Sequence, residues 1–199
     1  MYVIQKEFHF CYGHRVWSQK LDGRFTERGS VETKCRHLHG HQGLVSVSLE
    51  AQRLENQMVT DFKHLGWLKD FFEDHIDHKF ILDMHDPFVS RLLGGPFEQL
   101  TGIGGSILRL PSGYMFTPVL VETNMVGWQL DPSQKDEYLS GFLIIDFCPT
   151  SERLAEWIWG IVAKRMEPLN VTVAQVVWGE TPKSAATFFQ EEVFFDAAR

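Results

Sequence analysis

The chain has 199 residues, enough for one ordinary domain with a sizeable core, and its hydrophobic (44%) and charged (23%) fractions are typical of globular proteins. The formal net charge of −7, without any basic run, argues against nucleic acid as a partner. No apolar stretch approaches the roughly 18 residues that a membrane span needs, and Lys6 and Glu7 interrupt the first apolar stretch. We therefore expect no signal peptide, no membrane association and a cytoplasmic location.

The first part of the chain predicts two strands. Residues 2–10 carry Tyr, Val, Ile and Phe in loose alternation, which is typical of a strand. Residues 23–30 have the composition of a polar loop. From His39 to Arg53, apolar and polar side chains alternate at period two, which predicts a second strand with one buried face.

Two helices are predicted next. Asp61 is typical of a helix N-cap, and apolar side chains then recur at spacings of three and four, which predicts a helix over residues 62–76. The second helix should begin at Thr150 or Ser151, either of which can cap it, and should end at Pro168 because proline cannot continue a helix.

Two closing strands complete the pattern, one at residues 171–177 and the other at residues 188–195. The order of two strands, two helices and two strands predicts an α+β fold in which a four-stranded antiparallel sheet carries both helices on one face. The edges of such a sheet stay exposed unless association covers them.

Residues 84–147 do not fit this plan. We interpret them as an insertion between the two helices, within a single domain that spans residues 1–199. Short strands are predicted at residues 119–121 and 142–145, with a loop at residues 131–136 between them.

Histidine is the first indication of chemistry, because three of the nine histidines lie within residues 37–41. If that stretch is extended, His39 and His41 point to the same face, and an antiparallel first strand could bring His14 beside them. Three neutral imidazoles with an open fourth position suit a catalytic zinc ion. For an isolated His-x-His pair, however, unrelated histidines are the commoner explanation, so the surrounding residues have to decide.

The three cysteines are Cys11, Cys35 and Cys148. An odd number scattered along a chain of this length does not indicate a disulfide framework. We expect Cys11 and Cys148 to be small buried hydrophobic residues.

Residues 35–41, C-R-H-L-H-G-H, resemble the C-x-x-L-H-G-H signature of the 6-pyruvoyltetrahydropterin synthase superfamily. The spacing is most similar to that of its bacterial branch, the 6-carboxytetrahydropterin synthases of queuosine biosynthesis. Five further segments resemble family motifs in the same order: F-x-x-x-H-R at 10–15, D-F-x-x-L at 61–65, D-H-x-x-L from Asp77, P-T-S-E at 149–152 and E-T at 180–181. The insertion lies outside this resemblance. Cys148 stands where the family usually has Asn, and Tyr12-Gly13 replaces small residues.

The resemblance implies the tunnelling fold, in which subunits of a homo-oligomer join their sheets into a barrel and form active sites between them. It also implies the residues of the site. These are the zinc ligands His14, His39 and His41, the catalytic residues Cys35, Asp77 and His78, and the pterin-binding residues Thr150, Ser151 and Glu180. Four cations near the motifs are candidates for binding a substrate triphosphate, namely Arg15, Lys34, Arg36 and Lys79.

The activity that the resemblance implies is that of a zinc-dependent 6-carboxy-5,6,7,8-tetrahydropterin synthase. Its substrate would be 7,8-dihydroneopterin triphosphate, and acetaldehyde and triphosphate would be released. Two alternatives stay open: a 6-pyruvoyltetrahydropterin synthase, and a pterin-binding protein that has lost turnover. The insertion, both of whose ends adjoin site motifs, could be a lid or added wall or only a peripheral decoration.

Overall fold

The computed structural model describes residues 1–92, 108–110, 113–116 and 132–189. Within them, the strands are β1 (Tyr2–His14), β2 (His39–Ala51), β3 (Lys79–Asp83), β4 (Leu108–Leu110), β5 (Gly113–Phe116), β6 (Phe142–Ile145), β7 (Thr172–Thr181) and β8 (Ser184–Phe189). The helices are α1 (Gly66–His75), α2 (Val89–Leu92), α3 (Pro132–Ser140) and α4 (Ser151–Met166). No helix in the described part of the chain is long and apolar enough to cross a membrane.

The predicted antiparallel sheet is present as the arrangement β1-β2-β7-β8. β1 and β2 pair along their whole length, from Tyr2 opposite Ala51 to His14 opposite His39. The alternating pattern places Phe8, Phe10 and Tyr12 on the buried face, where they are at most 6% exposed. The last strand begins earlier than predicted, and residues 190–195 lie outside the described residues.

Both predicted helices cover the buried face of this sheet. The first begins as a 3-10 turn, Phe62–Leu65, whose cap Asp61 accepts a hydrogen bond from the amide of Lys63, and continues as α1. On the sheet side, the ring of Phe72 stacks on Phe10 with 4.7 Å between centroids. α4 buries the face that its sequence pattern predicts: Leu154, Trp157, Ile158, Ile161 and Val162. Burial of each such side chain contributes roughly 1.5–3 kcal/mol, so packing against the sheet fixes the helices.

The sheet is larger than the predicted four strands, and the prediction of a purely antiparallel sheet was wrong. The described strands form one eight-stranded sheet in the order β4-β5-β6-β3-β1-β2-β7-β8. β3 pairs in parallel with the end of β1, with Gly13 opposite Phe80 and His14 opposite Ile81, and β6 pairs in parallel with β3. β3 is a short run buried mostly on both faces, and such a run shows no periodicity that identifies a strand.

The described strands of the segment predicted to be an insertion, residues 84–147, therefore extend the sheet. Its strand at residues 142–145 is confirmed as β6, and the predicted strand at residues 119–121 lies outside the described residues. The predicted loop at residues 131–136 was wrong because α3 begins at Pro132. Proline is well suited to the first position of a helix, since its missing N–H is not needed there.

Candidate metal centre and active site

Three histidines converge at one end of the sheet. His14 lies opposite His39, and His41 lies opposite Tyr12, so all three imidazoles project from the same face. His14 Nε2 is 3.1 Å from His39 Nε2 and 3.2 Å from His41 Nε2. A tetrahedral ion with nitrogen ligands at 2.0–2.1 Å holds those nitrogens about 3.3 Å apart. The three-histidine cluster, His14, His39 and His41, therefore fits a metal ion.

Main-chain carbonyls fix the orientation of two of these rings. His14 Nδ1 lies 2.7 Å from the carbonyl oxygen of Pro149, and His39 Nδ1 lies 2.8 Å from that of His37. A carbonyl only accepts, so Nδ1 must carry the proton and donate it. Each ring is thereby held with the lone pair of Nε2 directed into the cluster, as metal-binding histidines require.

Burial keeps His14 and His41 neutral. His14 is fully buried, and loss of hydration lowers its pKa to about 4. Burial also lowers the pKa of His41. Glu180 Oε1 lies 3.6 Å from His14 Nε2 and opposes this effect without cancelling it. At neutral pH the imidazoles of His14 and His41 are therefore unprotonated and able to act as ligands.

Glu180 lies beside the cluster at an irregularity in β7. Gly179 pairs with Ala185 and Thr181 pairs with Ser184, so Glu180 is an additional residue with no partner in β8. Such a bulge redirects the side chain that it carries. The carboxylate is 22% exposed and stands beside the metal-site nitrogens, where a substrate can reach it.

Tyr12 forms an aromatic floor under the cluster that the sequence did not predict. Its ring centroid lies 5.3 Å from that of His14 and 5.6 Å from that of His41. Its hydroxyl accepts a 2.9 Å hydrogen bond from Trp178 Nε1, and burial raises the pKa of this phenol. The signal was present in the sequence, since Tyr12 is two residues from His14 and therefore on the same face.

Asp77 and His78 form a contacting acid–base pair at the end of α1. Asp77 Oδ2 lies 2.9 Å from His78 Nδ1, and Asp77 Oδ1 accepts a 2.7 Å hydrogen bond from the amide of Cys11. Partial burial raises the pKa of Asp77, but these hydrogen bonds and the neighbouring imidazole outweigh it, and the net shift is downward. The carboxylate is thus held ionised against the ring.

His78 carries backbone strain. Its φ of 59° lies in the left-handed region, which is unfavourable for a residue with a Cβ. The amide of His78 donates a 2.7 Å hydrogen bond to the carbonyl of Cys11, which holds the strained residue against β1. Strain of this kind persists where the surroundings enforce it and is concentrated at functional sites.

The side chain of His78 opens into a cleft of about 470 Å³, which also touches Tyr12, His41 and Lys79. Other parts of its wall are Cys11, Gly13, Gly40, Gln42 and Phe80. Four of these residues, Cys11, Gly13, Gly40 and Gln42, alternate along β1 and β2 with the metal-site positions. They therefore lie on the opposite face of the sheet. Gly13 is needed there because a Cβ would come within 2.4 Å of the Phe80 ring. Within one chain, the acid–base pair therefore faces away from the imidazoles of the three-histidine cluster.

The remaining predicted site residues lie near the metal end. Cys35, in the 3-10 turn Lys34–Arg36, is half-buried; its carbonyl accepts from the amide of Val16 at 2.7 Å, and its amide donates to Gln19 Oε1 at 3.1 Å. Thr150 caps α4 through a hydrogen bond from the amide of Arg153, directly after the carbonyl that binds His14. Ser151 is the first residue of α4 and is half-buried.

The other two cysteines differ from expectation. Cys11 is exposed on the open face of β1, because its position alternates with the buried residues Phe10 and Tyr12. Cys148 is only half-buried and accepts a 3.3 Å hydrogen bond from Ser18 Oγ. The prediction that both are buried hydrophobic residues was wrong.

The chain is similar to several known proteins along nearly its whole length. The chain is 31% identical over 198 residues to the 6-carboxy-5,6,7,8-tetrahydropterin synthase of Aquifex aeolicus, covering 94% of this chain and 98% of that protein. The crystal structure of an uncharacterized protein from Wolinella succinogenes is 39% identical with a TM-score of 0.78, covering 96% and 98% of the two chains. The 6-pyruvoyltetrahydropterin synthase of Plasmodium vivax shares the fold at 16% identity and a TM-score of 0.51, covering 96% and 100%. The model of the 6-pyruvoyl tetrahydropterin synthase family matches residues 3–191, and the chain belongs to that family.

Proposed function

We propose that the protein is a zinc-dependent 6-carboxy-5,6,7,8-tetrahydropterin synthase. It would act on 7,8-dihydroneopterin triphosphate and release acetaldehyde and triphosphate. The observation that carries this proposal is the convergence of the three-histidine cluster, with His14 buried and Glu180 beside it. The 31% identity to a protein of that name over nearly the whole chain supports the choice of reaction.

The ion in this proposal is Zn²⁺, held by His14, His39 and His41. Neutral imidazoles bound through Nε2 are a common catalytic zinc set with an open fourth position. Zinc held by these three ligands would use its open position to polarise the hydroxyl groups of the substrate side chain. The Glu180 carboxylate would accept two N–H groups of the pterin, since a carboxylate pairs well with two parallel donors. Thr150 and Ser151, at the start of α4, would hold the other edge of the ring.

Proton transfer in this proposal belongs to Cys35, Asp77 and His78. The Cys35 thiolate would take a proton from carbon next to the polarised hydroxyl, because a positioned base of this kind accelerates such a step. Asp77 would hold the proton of His78 on Nδ1, which leaves Nε2 to exchange protons with the substrate. The 81% exposure of the His78 side chain leaves that nitrogen accessible.

A complete site in this proposal needs two copies of the chain. The acid–base pair and the cluster lie on opposite faces of one sheet, so a His78 acting at a metal-bound substrate would belong to another subunit. β3 pairs with β1 only at Tyr12–His14, which leaves the edge of β1 before Tyr12 open to a second sheet. We accordingly propose a homo-oligomer with sites between subunits, located in the cytoplasm and serving queuosine biosynthesis.

The triphosphate would be bound by Lys34 and Arg36, which are exposed and flank Cys35. The Lys34 ammonium also lies 3.7 Å from Glu32 Oε2 in an exposed pair, and the other two candidate cations have partners of their own. Arg15 pairs with Asp86, and the Lys79 ammonium donates to the carbonyl of Ser140 at the end of α3. We also propose that residues 84–147 form an added wall behind the acid–base pair, since Gly141 accepts a hydrogen bond from the amide of Phe80.

The experiment is an incubation of the purified protein with 7,8-dihydroneopterin triphosphate, followed by assays for acetaldehyde and for pterin products. Acetaldehyde in a one-to-one ratio with triphosphate is expected. A pyruvoyl product without acetaldehyde would replace this proposal with a 6-pyruvoyltetrahydropterin synthase. Binding of pterin without turnover, and with no difference between wild type and Cys35→Ala, would indicate a non-catalytic pterin-binding protein.

A further inference from the structure

Two buried carboxylates hold the residues that follow His14. Arg15 Nε lies 2.8 Å from Asp86 Oδ2, and Trp17 Nε1 donates a 2.7 Å hydrogen bond to Asp83 Oδ2. Both aspartates are 3% exposed. Asp83 ends β3 and Asp86 lies in the first turn of the inserted segment, so one end of that segment is fastened to the chain beside a metal-site residue.

The contact between Arg15 and Asp86 excludes most solvent. The two side chains are 11% and 1% exposed, and the Arg15 guanidinium also lies over the ring of Phe88 at 5.0 Å. Among the residues that the structure describes, Arg15 Nε and Asp86 Oδ2 have no other polar partner. Removing one member would leave the other charge buried and uncompensated, which is far more costly than losing an exposed pair. The position of Arg15 is therefore set by Asp86.

The carboxylates are themselves rigid. Asp83 Oδ1 accepts a 2.8 Å hydrogen bond from the amide of His85, and Asp86 Oδ1 accepts one of 2.8 Å from the amide of Phe88. In each carboxylate, one oxygen thus accepts a hydrogen bond from an amide of its own turn, and the other contacts a side chain that follows His14. Such a supporting group can hold a neighbouring residue in one geometry.

The residues that directly follow the other end of the inserted segment reach the same place. Pro149 O accepts from His14 Nδ1, and Cys148 Sγ accepts from Ser18 Oγ. His14 is therefore held by its ring from one end of the segment and by its following residues from the other. Both ends of the segment therefore support His14, the one member of the three-histidine cluster that is fully buried.

We propose that Asp86, through Arg15, and Asp83, through Trp17, are positioning residues of the metal centre. They hold the main chain at His14 so that its Nε2 faces those of His39 and His41. This inference rests on the metal site of the proposed function. Outer partners of metal ligands typically contribute a factor of about 10–100 to metal affinity, and a comparable dependence on Asp86 follows.

The test measures metal affinity rather than turnover. In the metal-stripped protein, Asp86→Asn is expected to raise the dissociation constant for Zn²⁺ by about 10- to 100-fold in a chelator competition, and to alter the visible absorption of the Co²⁺ form. Asp86→Glu should restore part of the affinity, because it keeps the charge. The control is Leu49→Ala, a core variant in β2 opposite Ile4 and ten residues from His39, with both proteins assayed at the same fraction folded.

Three results would overturn the inference or its basis. If Asp86→Asn weakens Zn²⁺ binding no more than Leu49→Ala does, the buried pair only stabilises the fold. If Asp86→Asn does not fold, Trp17→Phe replaces it, and an unchanged Zn²⁺ affinity in that variant rejects the inference. His39→Ala separates the two proposals, because Zn²⁺ binding as tight as in the wild type would reject the metal site itself.

Discussion

In the three-histidine cluster, His14 is buried and two of the rings are held by main-chain carbonyls, whereas in the Asp77–His78 pair the histidine is largely exposed and carries backbone strain. The side chain of His14 is 1% exposed and that of His78 is 81% exposed. The first arrangement suits a ligand set that must keep one geometry and one protonation state. The second suits a group that must meet a substrate and exchange protons with it. The two regions should therefore respond differently to mutation.

Removal of one ligand should have the largest effect. His39→Ala leaves two imidazoles, so we expect Zn²⁺ content to fall below stoichiometric levels and turnover to fall at least about 1000-fold, as for loss of an essential catalytic group. Metal analysis of the dialysed protein and a product assay would measure this. The control is His64→Ala, an exposed histidine bonded to Thr60. Full zinc content in His39→Ala would contradict the prediction.

Asp77→Asn should break catalysis and leave the metal in place. The amide oxygen can still accept from the Cys11 amide, which directs the new NH₂ group towards His78 Nδ1 and forces the proton onto Nε2. We expect kcat to fall by about 10²–10⁴ with unchanged zinc content. Loss of zinc in this variant would show that the two regions are not independent.

The third prediction has a smaller expected effect and concerns the pH dependence of stability that His14 causes. In the folded, metal-free protein the pKa of His14 is about 4, below the ordinary value of 6.5, so the unfolded chain binds more protons between these values. Above pH 6.5, His14 is neutral in both the folded and the unfolded chain, so its titration does not change the free energy of unfolding. As the pH falls towards 4, the unfolded chain binds the proton first, and the free energy of unfolding falls by about 3 kcal/mol.

Urea unfolding of the metal-free protein at pH 7 and pH 4.5 measures this loss. His14→Asn provides the comparison because it cannot titrate, and its loss between the same two pH values should be smaller by roughly 2–3 kcal/mol. Equal losses in the two proteins would reject burial of a neutral His14 as the cause.

Sequence patterns predicted the structural features that depend on residue type and local spacing. A cap at Thr150 or Ser151 and a position of His14 beside His39 and His41 follow from residue type and alternation; the structure has the cap at Thr150 and His14 opposite His39. β3 escaped prediction because a short, mostly buried run has no diagnostic period, and the parallel pairing of β3 with β1 and β6 has no signal in the sequence pattern.

Contacts distant in sequence could not be predicted either. The partner of Arg15 is 71 positions away, as their numbers show, and the partner of the Tyr12 hydroxyl lies on β7. Motif order identified the residues of the acid–base pair and the cluster, but it carried no information on which face of the sheet each occupies. Only the register of β1 with β2 and β3 separates them.

His78→Gly should have the smallest effect on stability and the opposite sign. Glycine adopts a φ of 59° without steric cost, so relief of strain should raise the free energy of unfolding by about 1 kcal/mol. The lost contact with Asp77 subtracts little, because an ion pair this exposed contributes about 0–1 kcal/mol. Urea unfolding measures the gain, with Asn170→Gly as a control at another left-handed residue far from the site. If His78→Gly is less stable while Asn170→Gly is more stable, His78 is held by favourable contacts and is not strained. If it is more stable and inactive, the protein maintains a strained histidine at the expense of stability, because the chemistry needs an imidazole at that position.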